Sequence, residues 1–276
     1  GGSVHEWMAQ GSCMFEQSME LSIPLSEHGE SYADDKKPFT PPAFNEYVKS
    51  RRAAGKHPYR LEPGEKDPWY GVFRDVRRAD VKGPLTGNFY SRGKSQHDLR
   101  FHILFPSEGT AYACTVPSLR RCWSQKLRKE IHADVEKYRM PKIVIRRDGQ
   151  NLRSRFVTVW EPIRNKPILS DVRSLTEGDK GPVVVQLKSK EHDWKATIHY
   201  SDGDRVQQTV GDVTWKGRYA SIIEQDGQLS IDVYDSSYLQ HGSIELKLEP
   251  WLPLVLNRVI ESNKGKFSLE LQGRWP

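Results

Sequence analysis

The sequence predicts an all-β protein: an antiparallel β-sandwich over residues 1–165, followed by a smaller antiparallel β domain over residues 166–276. Three observations carry this expectation. Segments that alternate apolar and polar residues, the mark of half-buried strands, recur along the whole chain. Seventeen Pro and 21 Gly are spread through 276 residues and cut them into short elements. In the last third, turns such as Asp202-Gly203 and Asp226-Gly227 separate apolar runs at roughly 8–12-residue spacing, the rhythm of sandwiches and open sheets.

The chain opens on a turn, Gly1-Gly2-Ser3, and passes directly into an alternating segment at 5–8. With no initiator Met and no leader ahead of that segment, the sequence reads as the interior of a longer protein. Alternation continues at 19–23, 69–76, 99–105, 142–145 and 155–160. Two stretches break it. Residues 32–68 hold Pro38, Pro41, Pro42, Pro58, Pro63 and Pro68 among charges, which predicts a long excursion with a short helix over 43–54. Residues 117–138 form a second insert, where Ser124 is a candidate N-cap for a helix over 124–138, supported by Lys/Arg spacing more than by apolar spacing. Residues 161–167, with Glu161-Pro162 and Pro167, form a domain boundary. Regular strands are expected beyond it at 183–187, 194–200, 213–215, 219–223, 229–234 and 243–248.

Forty-two Lys and Arg against 36 Asp and Glu leave a net charge of +6, and the pI is near 9.1. The bases cluster at Lys49, Arg51, Arg52 and Lys56, at Arg74, Arg77 and Arg78, at Arg120, Arg121, Lys126, Arg128 and Lys129, and at Arg146-Arg147. Such a surface attracts polyanions. Nucleic acid is not the expected partner, because the sequence lacks helix-turn-helix, zinc-finger and RNP patterns. No run approaches the roughly 18 apolar residues of a membrane helix, so no membrane partner is expected. Mean hydropathy is −0.71, polar for a compact enzyme. Cys13, Cys114 and Cys122 show no CxxC or zinc-ribbon spacing. A Cys114–Cys122 bridge and buried free thiols are both open.

The best binding candidate is Trp69, Tyr70, Phe73, Arg74, Arg77 and Arg78. Aromatic faces stack on sugar rings, and guanidinium forks grip carboxylate or sulfate with two bonds. His5, beside Glu6 and Trp7, is read as a sheet histidine fixed by a hydrogen bond, with ligand contact the lesser alternative and Trp7 filling core. His97 and His102 are five apart and point to opposite faces of a strand, so they make no joint metal site. No nucleophile elbow, phosphate loop or dinucleotide fingerprint occurs.

The order of several segments resembles the heparinase II/III-like polysaccharide lyases, in the β-sandwich that follows their catalytic toroid. The segments are Gly1-Gly2-Ser3-Val4-His5-Glu6-Trp7, Val72-Phe73-Arg74-Asp75-Val76-Arg77-Arg78, Leu99-Arg100-Phe101-His102-Ile103-Leu104 and Ser154-Arg155-Phe156-Val157-Thr158-Val159-Trp160-Glu161-Pro162. His192-Asp193-Trp194 and Trp215-Lys216-Gly217-Arg218-Tyr219 follow in the same order. The resemblance spans most of residues 1 to 250. It implies a secreted or periplasmic enzyme that cleaves acidic, uronate-containing glycans by β-elimination, with an α/α toroid upstream and a supersandwich-like β-sandwich after it. A base takes the C5 proton, an acid protonates the leaving oxygen, and a neutralised carboxylate eases the carbanion. The family's proton-transfer Tyr and His, and the segments holding its structural divalent metal, do not occur here. The expectation is therefore a fragment inactive alone, without catalytic residue, metal or cofactor of its own, and with acidic polysaccharide and the upstream toroid as partners. The alternative is a non-catalytic carbohydrate- or polyanion-binding β-module.

Overall fold

Strand after strand follows where the sequence alternates. The computed structural model describes residues 4–11, 16–29, 41–56, 73–92, 98–104, 108–117, 123–124, 129–130, 139–189, 191–201, 206–247, 254–261 and 267–272. It is nearly all β, in antiparallel sheets. The chain divides into two compact units, one of Gly1–Phe156 with Pro162–Asn165 and one of Val157–Glu161 with Lys166–Pro276.

In the first unit the elements are β1 (Val4–Gln10), β2 (Glu16–Leu21), β3 (Ser26–Gly29), α1 (Pro41–Ala53), β4 (Arg74–Val81), β5 (Leu85–Arg92) and β6 (Asp98–Ile103). They continue with β7 (Gly109–Pro117), β8 (Trp123–Ser124), β9 (Lys129–Glu130), β10 (Arg139–Asp148) and β11 (Thr158–Ile163), along which the boundary between the units runs. One sheet has the order β1-β10-β7-β4-β3 and the other β11-β6-β5-β2. Between them lies a core to which the first sheet contributes Val81, Ala111, Ala113, Ile143 and Ile145, and the second Met19, Leu85, Phe89, Phe101 and Ile103. This is a sandwich. Phe101 lies across Gly87 of the neighbouring strand, where a Cβ would come within 2.2 Å of its ring, so glycine makes room for the aromatic.

The central strand β7 is buried on both faces. Ala111 and Ala113 face the sandwich core, while Tyr112, Cys114 and Val116 join Phe73, Val76, Met140 and Val144 in a second cluster. Such a strand loses its alternation, which is why pattern alone passes over it.

Helix α1 lies close to the expected 43–54 span. Gly55 ends it at φ +70°, its amide bonding Arg52 O (3.0 Å) while the Lys56 amide bonds Arg51 O (2.9 Å), the paired bonds of a Schellman cap. The helix expected over 124–138 is corrected. Trp123 pairs with Glu130 and Ser124 with Lys129 in a short antiparallel ladder, and residues 131–138 lie outside the described residues. Basic spacing without an apolar stripe offers a helix nothing to bury.

The second unit is built from β12 (Leu169–Ser174), β13 (Val183–Ser189), β14 (Trp194–Tyr200), β15 (Gln208–Val210), β16 (Val213–Gln225), β17 (Gln228–His241), β18 (Ile244–Lys247), β19 (Leu254–Glu261) and β20 (Phe267–Gln272). Their sheet runs β12-β13-β14-β16-β17-β19-β20, with β15 on β16 and β18 on β17. Asp226 (φ +51°) and Gly227 (φ +72°) make the two-residue turn that joins β16 to β17. The segments expected at 213–215 and 219–223 are one strand, with a register shift between Lys216 and Gly217.

That shift lets the long ribbon double back. His241 pairs with Val213, eleven residues from Glu224, which is about 36 Å along a straight strand. Yet His241 Nε2 lies 3.9 Å from Glu224 Oε1. The fold encloses Val184, Val213, Trp215, Ala220, Ile222, Ile231, Val233 and Leu239. Glu161 secures the start of β12. Its buried carboxylate accepts the amides of Ile168 (2.5 Å) and Leu169 (2.8 Å), an architectural use for the Glu-Pro pair.

Candidate functional site

The basic strand β4 is shaped by a bulge. Arg74 pairs with Thr115 and Arg77 with Ala113, so Asp75 and Val76 together oppose Cys114, with Asp75 at φ +53°. Pairing places Arg74 and Arg77 on the face shared by Thr115 and Ala113, whereas Arg78, opposite Tyr112, projects from the other face. Both Arg77 and Arg78 are exposed, and Arg74 is half-buried with Nη1 donating to Phe73 O (3.0 Å).

A residue that sequence reasoning missed completes this corner. Arg139, at the start of β10, donates from Nε to Thr115 Oγ1 (2.8 Å) and from Nη2 to Thr115 O (2.8 Å). The Thr115 hydroxyl donates in turn to Asp75 Oδ2 (2.8 Å). Three guanidiniums, Arg74, Arg77 and Arg139, thus stand on one face at one end of the sheet, with Asp75 and Glu27 (paired with Arg77) as nearby carboxylates. Arg139 is separated from the others by over 60 residues, so only strand pairing reveals it.

The other predicted residues separate from this corner. Phe73 is 4% exposed and belongs to the core, with the Lys142 ammonium 4.9 Å above its ring. Trp69 and Tyr70 lie outside the described residues. His5 is half-buried on β1, opposite Arg147, on the side from which Trp7 packs against the core. His102 Nδ1 lies 3.2 Å from Thr86 Oγ1, and His97 lies outside the described residues. Among the described residues no group of three His, Cys, Asp or Glu side chains is placed to hold a metal, and no helix is long and apolar enough to cross a membrane. Cys114 is a buried free thiol, pushed up to about 12 by burial against the opposing charges of Lys142 and Arg139. Cys13 and Cys122 lie outside the described residues.

In the second unit an open groove of about 940 Å³ runs beside the β16–β17 turn, and Trp194, Lys195, Glu224 and His241 line it. Two of its side chains have carboxylates close by. Lys195 Nζ meets Glu224 Oε1 at 2.8 Å, and His241 Nδ1 lies 3.5 Å from Asp212 Oδ2. Inside the fold, His199 is fully buried, edge-on to Trp215 at 4.5 Å. Among the described residues, neither ring nitrogen of His199 has a hydrogen-bond partner. Burial, opposed by Asp212 and assisted by His241, brings its pKa down to about 4. A neutral buried histidine with no substrate-facing side is core chemistry. The chain matches no protein-family model and no curated protein.

Proposed function

We propose that this chain is a non-catalytic β-module that binds acidic glycan, serving as the sandwich portion of a polysaccharide lyase and inactive by itself. One observation carries the binding: Arg74, Arg77 and Arg139 share one sheet face at one end of β4, β7 and β10. Guanidiniums displayed from neighbouring strands suit the carboxylates repeated along a uronate chain, because each fork takes a carboxylate with two parallel bonds. Arg139 is anchored by Thr115, so part of the ordering entropy is already spent before a ligand arrives. Attachment to a lyase rests on the ordered motifs of the sequence. A secreted or periplasmic setting and an upstream toroid carrying the proton-transfer groups belong to the same proposal.

The test is elution from a heparin or polyuronate column in a salt gradient. Arg74→Ala with Arg77→Ala elutes at clearly lower salt than wild type. Arg78→Ala with Arg153→Ala removes equal charge away from the proposed surface and stays near wild type. Equal shifts for the two double variants would reduce the site to net charge. Unsaturated-uronate absorbance produced by this chain alone would overturn its inactivity.

A further inference from the structure

Three tyrosines stand side by side across the second unit. Tyr200 closes β14, and the register pairs it with Tyr219 of β16, which pairs with Tyr234 of β17. Directly paired residues of antiparallel strands project to the same face. The side chains therefore form one row perpendicular to the strands, stepping by the strand spacing of about 4.8 Å. Tyr200 is 44% exposed and Tyr234 54%, with Tyr219 half-buried between them.

The backbone beneath the row is closely determined. The buried Ser236 hydroxyl sits between the carbonyls of Tyr219 (3.0 Å) and Tyr234 (3.1 Å). Asp235 holds φ +49° next to Tyr234. Gly217 faces Ser236 so closely that a Cβ would fall 2.4 Å from its Cα. The row is thus presented from ordered strands, and each ring has few torsions left to lose on binding.

Charge selects the ligand. Over the regular ladder of β13, β14, β16 and β17, the alternating positions that share this face are mainly apolar, among them Val185, Ile198 and Ile223, with Asp232 the one charged side chain and no lysine or arginine. Ser221 donates to Asp232 Oδ2 at 3.1 Å. Arg218, next along the chain from Tyr219, has its charge matched by Asp235 at 3.8 Å. A face with one carboxylate, no cation, apolar side chains and three aromatic rings repels sulfate, phosphate and uronate, and suits neutral polyols whose ring faces are lined with C–H groups. We infer that Tyr200, Tyr219 and Tyr234 form a platform for an extended, neutral glycan, with successive sugar rings seated along the row. This site is independent of the arginine corner and takes the opposite class of carbohydrate.

The experiment is a titration of the full chain with cellohexaose and, separately, mannohexaose. The expected result is saturable binding to at least one of them, insensitive to salt between about 0.05 and 0.5 M. Tyr200→Ala and Tyr234→Ala each weaken it by about tenfold, while Tyr234→Phe and the Arg74→Ala, Arg77→Ala pair leave it intact. Circular dichroism checks the fold of each variant. The tyrosine ultraviolet difference spectrum of the wild-type chain gives a readout that needs no variant. Absence of binding to both sugars, or binding that survives loss of Tyr200 and Tyr234 together, overturns the platform. Neither result bears on heparin elution, so the two proposals fail separately.

Discussion

His199 makes the second unit labile to acid. The residue is fully buried and pairs with Ala220 in the ladder, with its ring edge-on to Trp215. Burial moves its pKa from 6.5 to about 4. The folded form therefore binds the proton more weakly than the unfolded chain does. The associated stability is complete above pH 6.5, declines as pH falls toward 4, and levels off below that. At about 1.4 kcal/mol per pH unit, the difference amounts to roughly 3 kcal/mol. The assay is urea unfolding followed by circular dichroism at pH 7.5 and pH 4 for wild type and His199→Leu. Leucine removes the titrating group along with two buried nitrogens that have no hydrogen-bond partner among the described residues, so the variant folds at pH 7.5 with stability close to wild type. Its loss between the two pH values should be smaller than wild type's by about 3 kcal/mol. An equal acid loss in both proteins would refute the assignment and move the effect to other carboxylates or histidines.

Gly217→Ala places a Cβ 2.0 Å from Ser236 Oγ and 2.4 Å from Ser236 Cα, so the ribbon must open; a drop of about 2–3 kcal/mol in urea-unfolding stability is expected. Glu161→Ala leaves the Ile168 and Leu169 amides without their carboxylate and costs about 2–3 kcal/mol by the same measurement, whereas Glu161→Gln, which keeps an acceptor oxygen, costs less. With its thiol pushed up to about 12, Cys114 should resist iodoacetamide at pH 8 in the folded chain and react fully in urea, as read by peptide mass spectrometry; rapid native labelling would contradict its burial.

The all-β class, the position of α1 and the strands of the second unit are legible in the sequence because each depends on local period and turn chemistry. The segment at 194–200 matches β14 residue for residue, and Asp226-Gly227 makes the turn its composition demands. Strand β7 escapes pattern reading because burial on both faces erases its alternation, and the 124–138 segment misleads because charge spacing is only a weak helix signal.

Site residues divide along the same line. By itself the sequence determined that basic residues and aromatics were available, and that the motifs for elbow, phosphate-loop or dinucleotide chemistry were lacking. It also supplied the adjacency of Arg77 and Arg78, but adjacency in a strand sends neighbours to opposite faces. Only the tertiary structure decided which side chains meet: Arg139 joins Arg74 through Thr115, and Tyr200 lines up with Tyr234 across 34 positions of chain. The physical reason is that backbone hydrogen bonding between strands sets register. Register in turn sets the face, and neither is written in the local period of any one segment.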